Sequence, residues 1–212
     1  MLFGNAAILA CKDMLEKMYD MAAQILRANP CDLRHNDEKV YIVHDPHKFV
    51  RYREMAVGYA YSNGNGIGGP LVGVGRYTAC GLTNLDKETG QGNPALDWTY
   101  GAHGVVIEID PETGEVAVIH SASAFDAGKV INAAAARGQC VGGFIQGLGT
   151  AICEGYIYNS KGQLMNPSFT DNKIPTAKDI PEKMEVFFVE TPQLDGPYGA
   201  RGIGEHSMIS VA

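Results

Sequence analysis

The strongest chemical signal in the chain is a run of ten residues near its end. Gly196-Pro197-Tyr198-Gly199-Ala200-Arg201-Gly202-Ile203-Gly204-Glu205 sets four glycines and a proline ahead of one carboxylate. Glycine opens backbone conformations that other residues avoid and proline closes most of them, so this run specifies one loop shape. Apolar neighbours predict at least partial burial of Glu205. A buried carboxyl group gains proton affinity and approaches the behaviour of a general base at neutral pH. Arg201 would offset that gain. The plainer alternative is a carboxylate that caps a helix or pairs with Arg201. A second candidate is the pair Gln139 and Gln146, seven residues apart on one helical face with Gly143 between them. Amides both donate and accept hydrogen bonds, and the glycine would let a flat heterocycle approach the backbone. Interior helix packing is the competing reading.

Other motifs carry less. Gly64-x-Gly66-x-x-Gly69 matches a dinucleotide fingerprint in letters, but Pro70 and a β-like run follow it where a helix is needed. It reads as a connector, with a nucleotide-binding module as the weaker alternative. Gly128-Lys129 lacks the rest of a phosphate loop, and no Gly-x-Ser-x-Gly elbow is present. His44-x-x-His47 has no further ligand at zinc-like spacing, so no metal ligand is assigned. Cys11, Cys31, Cys80, Cys140 and Cys153 are odd in number and form no Cys-x-x-Cys pair, as expected of free thiols in a reducing, cytoplasmic setting. Ile8-Leu9-Ala10-Cys11 has no preceding Lys or Arg and too short an apolar stretch for a secretion signal.

Bulk properties narrow the class. Glycine makes up 26 of 212 residues without a three-residue period, an excess over the usual value of about 7% that implies close backbone approach somewhere in the fold. With 17 basic and 24 acidic residues the net charge is −7, which argues against non-specific binding of nucleic acid. No window has the ~20 apolar residues of a membrane span.

The elements that must position these groups follow from periodicity. Ile8, Cys11, Leu15, Met18, Ala22 and Ile25 form one stripe and predict a helix over residues 5–29, ended by Asn29-Pro30. A strand is expected at 40–44 and a helix from Asp45-Pro46 to about residue 56. Residues 71–83 and 98–109 read as strands, with a hairpin over 104–120 turning at Asp110-Pro111-Glu112-Thr113-Gly114. A glycine-interleaved helix is expected over 133–158, a strand at 185–190, and the start of another element at 209–212. Two long helices with hairpins between them define an α+β fold.

The ordered motifs Asp126-Ala127-Gly128-Lys129-Val130-Ile131-Asn132, Gly138-Gln139-Cys140-Val141-Gly142-Gly143-Phe144-Ile145-Gln146-Gly147-Leu148-Gly149, Lys173-Ile174-Pro175-Thr176-Ala177 and Gly199-Ala200-Arg201-Gly202-Ile203-Gly204-Glu205 resemble the large subunit of the xanthine dehydrogenase/aldehyde oxidase family of molybdenum hydroxylases. Tyr100-Gly101-Ala102-His103 and Glu112-Thr113-Gly114-Glu115 are similar as well. The likeness covers most of the chain and is weakest over residues 30–95. It implies an α+β portion of a molybdopterin-binding domain, the C-terminal part of that region over 1–212. A boundary near residue 95 would give subdomains of about 1–95 and 96–212. It implies hydroxylation of a carbon beside a heteroatom in an aromatic heterocycle or aldehyde, with oxygen from water. Glu205 would act as general base toward Mo–OH. Gln139, Gly142, Gly143 and Gly204 would contact the molybdopterin, alone or in its dinucleotide form.

The same resemblance implies partners: an upstream molybdopterin-binding segment or subunit, an iron–sulfur subunit with 2Fe-2S clusters, and an FAD subunit. The chain alone would then be inactive. Val141 stands where the family often has glutamate, Asn172 where it has tyrosine, and His206-Ser207 where two prolines are common. These departures bear on the pocket and its substrate. The alternative function is a non-catalytic assembly subunit or truncated domain that binds no cofactor on its own.

Overall fold

The computed structural model describes residues 1–209 and 211. The chain divides into two compact units, Leu2–Cys80 and Gly81–Ala212, the latter joined by Met1.

In the first unit, helix α1 (Leu2–Leu26) packs on an antiparallel sheet of β1 (Leu33–His35), β2 (Lys39–Ile42) and β3 (Asp45–Arg51), in that order. Met18, Met21 and Ala22 meet Leu33, Val40, Val50 and Met55 in its core. Only Met18 and Ala22 of the expected stripe are fully buried, and Cys11 faces outward. The reason is local: the short sheet covers the C-terminal half of α1, while an extended segment lies along the other half. Val74 N–H donates to Asp13 Oδ2 at 2.7 Å and Lys17 Nζ to the Val72 carbonyl at 2.9 Å. Gly73 and Gly75 let this segment approach so closely that a side chain at either would strike the α1 backbone at Ala10. No strand forms over 71–83, and residues 72–75 run along α1 instead.

Two further expectations change here. The helix predicted from Asp45 is instead β3, followed by a single helical turn, α2 (Tyr52–Met55). Pairing of Val50 with buried Val40 outweighs the local helix-start signal, and Pro46 is tolerated because β3 is an edge strand. The carboxylate of Glu54 instead caps α2 by accepting from Arg51 N–H at 2.7 Å. Helix α1 ends three residues before the expected Asn29, with Arg27 in the left-handed region at φ 51°. Asn29 caps a following 3-10 turn, Pro30–Asp32, by accepting from Cys31 N–H at 3.1 Å. The glycine cluster joins β4 (Tyr59–Ala60) to β5 (Gly66–Ile67), and extended chain follows it in place of the helix a dinucleotide loop requires.

In the second unit, β6 (Gly101–Ile109) and β7 (Val116–Asp126) form the expected hairpin. Asp110 Oδ1 accepts from Glu112 N–H at 2.8 Å in its turn. Helix α3 (Ala133–Ile152), capped by Asn132 accepting from Ala135 N–H at 3.0 Å, leads to β8 (Lys183–Val189), which pairs parallel with β7. Phe125, Ala127, Cys140, Phe144 and Leu148 are the buried apolar residues between helix and sheet. A last short helix, α4 (His206–Ile209), packs on α3. Of the element expected at 209–212, Ser210 and Ala212 lie outside the described residues.

Gly75→Val should destabilise the chain by about 1–3 kcal/mol through overpacking, whereas Gly69→Ala, which faces open space, should stay within ~0.5 kcal/mol. Thermal or urea unfolding of the two variants measures the difference.

Candidate active site

The loop that ends in Glu205 is built against the exit of β7. Gly128, at φ +60°, admits the chain so closely that a Cβ there would sit 2.5 Å from the Gly199 carbonyl. Lys129 N–H donates to the Gly199 carbonyl at 2.8 Å, and Arg201 N–H to the Ala127 carbonyl at 2.9 Å. These bonds make a short antiparallel bridge that fixes the Gly199-Ala200-Arg201 backbone. Tyr198 takes a left-handed conformation, φ 53°, inside the 3-10 turn Pro197–Gly199.

Asp126 anchors the same region. Its Oδ1 accepts from the N–H groups of Gly128 at 3.0 Å and Thr191 at 3.2 Å. Burial would raise the Asp126 carboxyl, but those N–H groups and the Arg201 guanidinium outweigh it and hold it below its ordinary value. Arg201 Nη1 donates to the Trp98 carbonyl at 2.7 Å and Nη2 lies 3.8 Å from Asp126 Oδ2. Arg201 is thus committed to Asp126 and Trp98, and the anticipated pairing with Glu205 is not formed.

Helix α3 holds the other end of the loop. Gln139 Nε2 donates to the Gly204 carbonyl at 3.2 Å, and Gln146 Nε2 donates to Glu205 Oε1 at 3.2 Å. The two amides expected on one helical face therefore grip two consecutive residues of the loop. Glycine explains how the loop comes so near. A Cβ at Gly143 would collide with Ser207 Oγ, and one at Gly147 would lie 2.5 Å from the Met208 carbonyl. Gly142 and Gly204 have open space where a side chain would stand. Thus Gly143 makes room for α4, while Gly142 and Gly204 remain open to a ligand.

Glu205 itself is exposed. The partial burial expected from its apolar neighbours is not provided by this chain, and the carboxylate stands just before α4. Next to Glu205 in the chain is His206, which shares a packing partner with the distant His103. The His206 ring sits edge-on to Phe125 at 4.7 Å, and His103 sits edge-on to the same ring at 5.0 Å. Ser123 Oγ is 2.7 Å from His103 Nδ1. Burial lowers the His103 pKa, opposed by a hydrogen bond with the Ser207 backbone. Burial, then the nearness of His103, lowers that of His206. Separation by about half the chain hid this pair, and no local spacing would have revealed it.

Gln139 also lines a cavity of about 300 Å³ with Lys129, Asn132, Ala135, Arg201 and Ile203. The Lys129 and Arg201 cations on its wall are already paired with Glu190 and Asp126, so the Gln139 and Asn132 amides beside apolar walls are its neutral polar groups. Among the described residues no cluster of His, Cys, Asp or Glu could hold a metal ion directly, and His44 and His47 form none.

Residues 1–181 match the family described as the molybdopterin cofactor-binding domain. The chain is 28% identical over 219 residues to the gamma subunit of the 6-hydroxypseudooxynicotine dehydrogenase complex of Paenarthrobacter nicotinovorans, covering 99% of this chain and 25% of that protein. It is 33% identical over 153 residues to the aldehyde oxidoreductase of Megalodesulfovibrio gigas, covering 72% of this chain and 16% of that one. Its structure resembles quinoline 2-oxidoreductase from Pseudomonas putida 86 with a TM-score of 0.67 and 27% identity, over 93% of this chain and 24% of the other. The chain belongs to the molybdopterin cofactor-binding domain family. Within it, the chain falls in the xanthine dehydrogenase/aldehyde oxidase group of molybdenum hydroxylases, and it spans a quarter or less of the length of these relatives.

The buried histidines give the site a pH dependence. Lowered folded-state pKa values mean that the unfolded chain binds more protons just below the ordinary value of 6.5. Stability is then full above that value and declines as pH falls from about 6.5 toward the lowered values. The urea midpoint should drop between pH 7.5 and 5, and a His103→Gln, His206→Gln double variant should flatten that drop.

Proposed function

We propose that this chain forms part of the active site of a molybdenum hydroxylase that oxidises an aldehyde or an aromatic heterocycle, with Glu205 as general base. The observation that carries this reading is the grip of Gln139 and Gln146 on Gly204 and Glu205, which holds a loop carboxylate against a long helix. The names of relatives support the substrate class: an aldehyde oxidoreductase, a nicotine 6-hydroxylase large subunit and a quinoline 2-oxidoreductase. The molybdenum cofactor, when bound, supplies the site that takes up water-derived oxygen and accepts the two electrons of the oxidation.

The chain's own residues do the rest. Gln139, Gly142 and Gly204 would hold the molybdopterin, with Lys129 and Asn132 offering polar contacts in the cavity beside Gln139. Gly143 serves the site indirectly, by seating α4. Glu205 would take a proton at its carboxylate as the new carbon–oxygen bond forms. Its desolvation would come from cofactor, substrate and neighbouring protein surface.

Residues 1–212 would act as the C-terminal part of the molybdopterin-binding region, together with an upstream segment or subunit and with partner chains carrying 2Fe-2S clusters and FAD. Val105, Val106, Ile107 and Ile109 of edge strand β6 are exposed apolar residues suited to such neighbours. Five free cysteines fit a cytoplasmic setting, and no helix among the described residues is long and apolar enough to cross a membrane.

In the complete enzyme, Glu205→Gln should lower turnover by at least ~100-fold while molybdenum content persists. Near-normal turnover would overturn the assignment. Molybdenum absent both from the chain alone and from the co-expressed complex would favour the assembly-subunit reading.

A further inference from the structure

We infer that Gln146 is a positioning residue for the Glu205 carboxylate. The inference rests on the reading of Glu205 as the base and adds what sets its orientation. Gln146 lies near the middle of α3, where the helical backbone is well supported. Its Nε2 donates to Glu205 Oε1 at 3.2 Å across 59 residues of sequence.

Two features of the surroundings make this bond specific. First, its reach depends on close approach. Gly143 and Gly147 flank Gln146, three residues before and one after. Both are buried against α4, where a side chain would strike Ser207 or Met208. The amide reaches the carboxylate because α4 lies directly on the helix backbone. Second, the only guanidinium in the loop is held elsewhere. Arg201 is engaged by the Trp98 carbonyl and Asp126. A cation beside a carboxylate favours its charged form and weakens it as a base, whereas a neutral amide orients it with a smaller effect on proton affinity. The fold thus supplies Glu205 with a neutral donor and diverts the positive one. With Oε1 held by Gln146, Oε2 is the oxygen that would take the proton.

Gln139 completes the device on the neighbouring residue. Its bond to the Gly204 carbonyl fixes the backbone one step before the carboxylate. The amides lie two helical turns apart, so backbone and side chain are held from one rigid face.

The test uses the purified, cofactor-loaded enzyme complex. Gln146→Met keeps the length of the side chain and removes the donor. It should lower kcat by about 10-fold, within the range expected for loss of orientation at a reacting centre, with KM, molybdenum content and thermal midpoint close to wild type. Gln146→Glu sets a second carboxylate beside the first and should shift the acid limb of the kcat/KM profile to higher pH.

Infrared difference spectra give a readout independent of turnover. The carboxylate band lost in Glu205→Gln should shift in Gln146→Met. Unchanged kcat and an unmoved band in Gln146→Met, while Glu205→Gln is inactive, would overturn the positioning role alone. Full activity in Glu205→Gln would overturn the base assignment and the inference with it. If Gln146→Met fails to assemble, the pH profile of Gln146→Glu decides: an unshifted acid limb counts against the inference.

Discussion

The C-terminal unit depends on one close approach, that of α4 to the glycine face of α3. Helices normally pack 8–10 Å apart because side chains separate their axes. Here Gly143 and Gly147 remove those side chains, and Ser207 and Met208 occupy the space. The glycines weaken α3 as an isolated helix by up to about 1 kcal/mol each relative to alanine. Burial of Phe144, Leu148 and Cys140 against the sheet offsets that loss. The same close approach accompanies the bonds of Gln139 to the Gly204 carbonyl and of Gln146 to Glu205.

Charge placement is the second constraint. Asp126 and Arg201 neutralise each other at the base of the loop, with the Gly128 and Thr191 N–H groups completing the carboxylate's shell. Glu190 likewise takes Lys129, at 3.0 Å, and Val130 N–H. The cations nearest the loop are thereby occupied by structural carboxylates. Glu205 meets a neutral amide and stays exposed. The segregation matters physically because a carboxylate locked to arginine is a poor proton acceptor. His103 and His206 pack on Phe125, where burial lowers the pKa of both rings.

The first unit shows the same use of glycine for another end. Gly73 and Gly75 bring an extended segment onto α1, held by Asp13 and Lys17, and they carry no chemistry there. The glycine excess therefore has more than one meaning. Only its cluster on α3 and its cluster before Glu205 converge on a candidate site.

Elements with strong local signals were legible in sequence: α1, α3, and the β6–β7 hairpin with its Asp-Pro-Glu-Thr-Gly turn. The ordered motifs around Gln139 and Glu205 also identified the family. Where local and tertiary preferences disagreed, sequence reading failed. Asp45-Pro46 looks like a helix start, yet pairing of Val50 with Val40 makes a strand. Residues 71–83 look like a strand, yet they join no sheet, and residues 72–75 lie on α1 instead. The parallel pairing of β7 with β8 has no local signature at all.

At the site, sequence by itself determined which groups are present: a carboxylate behind a glycine-rich loop, and two amides on one helical face. Tertiary structure decided their partners. It turned Arg201 away from Glu205, gave Gln146 to the carboxylate, filled the space at Gly143 with α4, and joined His103 to His206. Each of these outcomes is set by contacts between residues far apart in the chain, and local spacing carries no information about them.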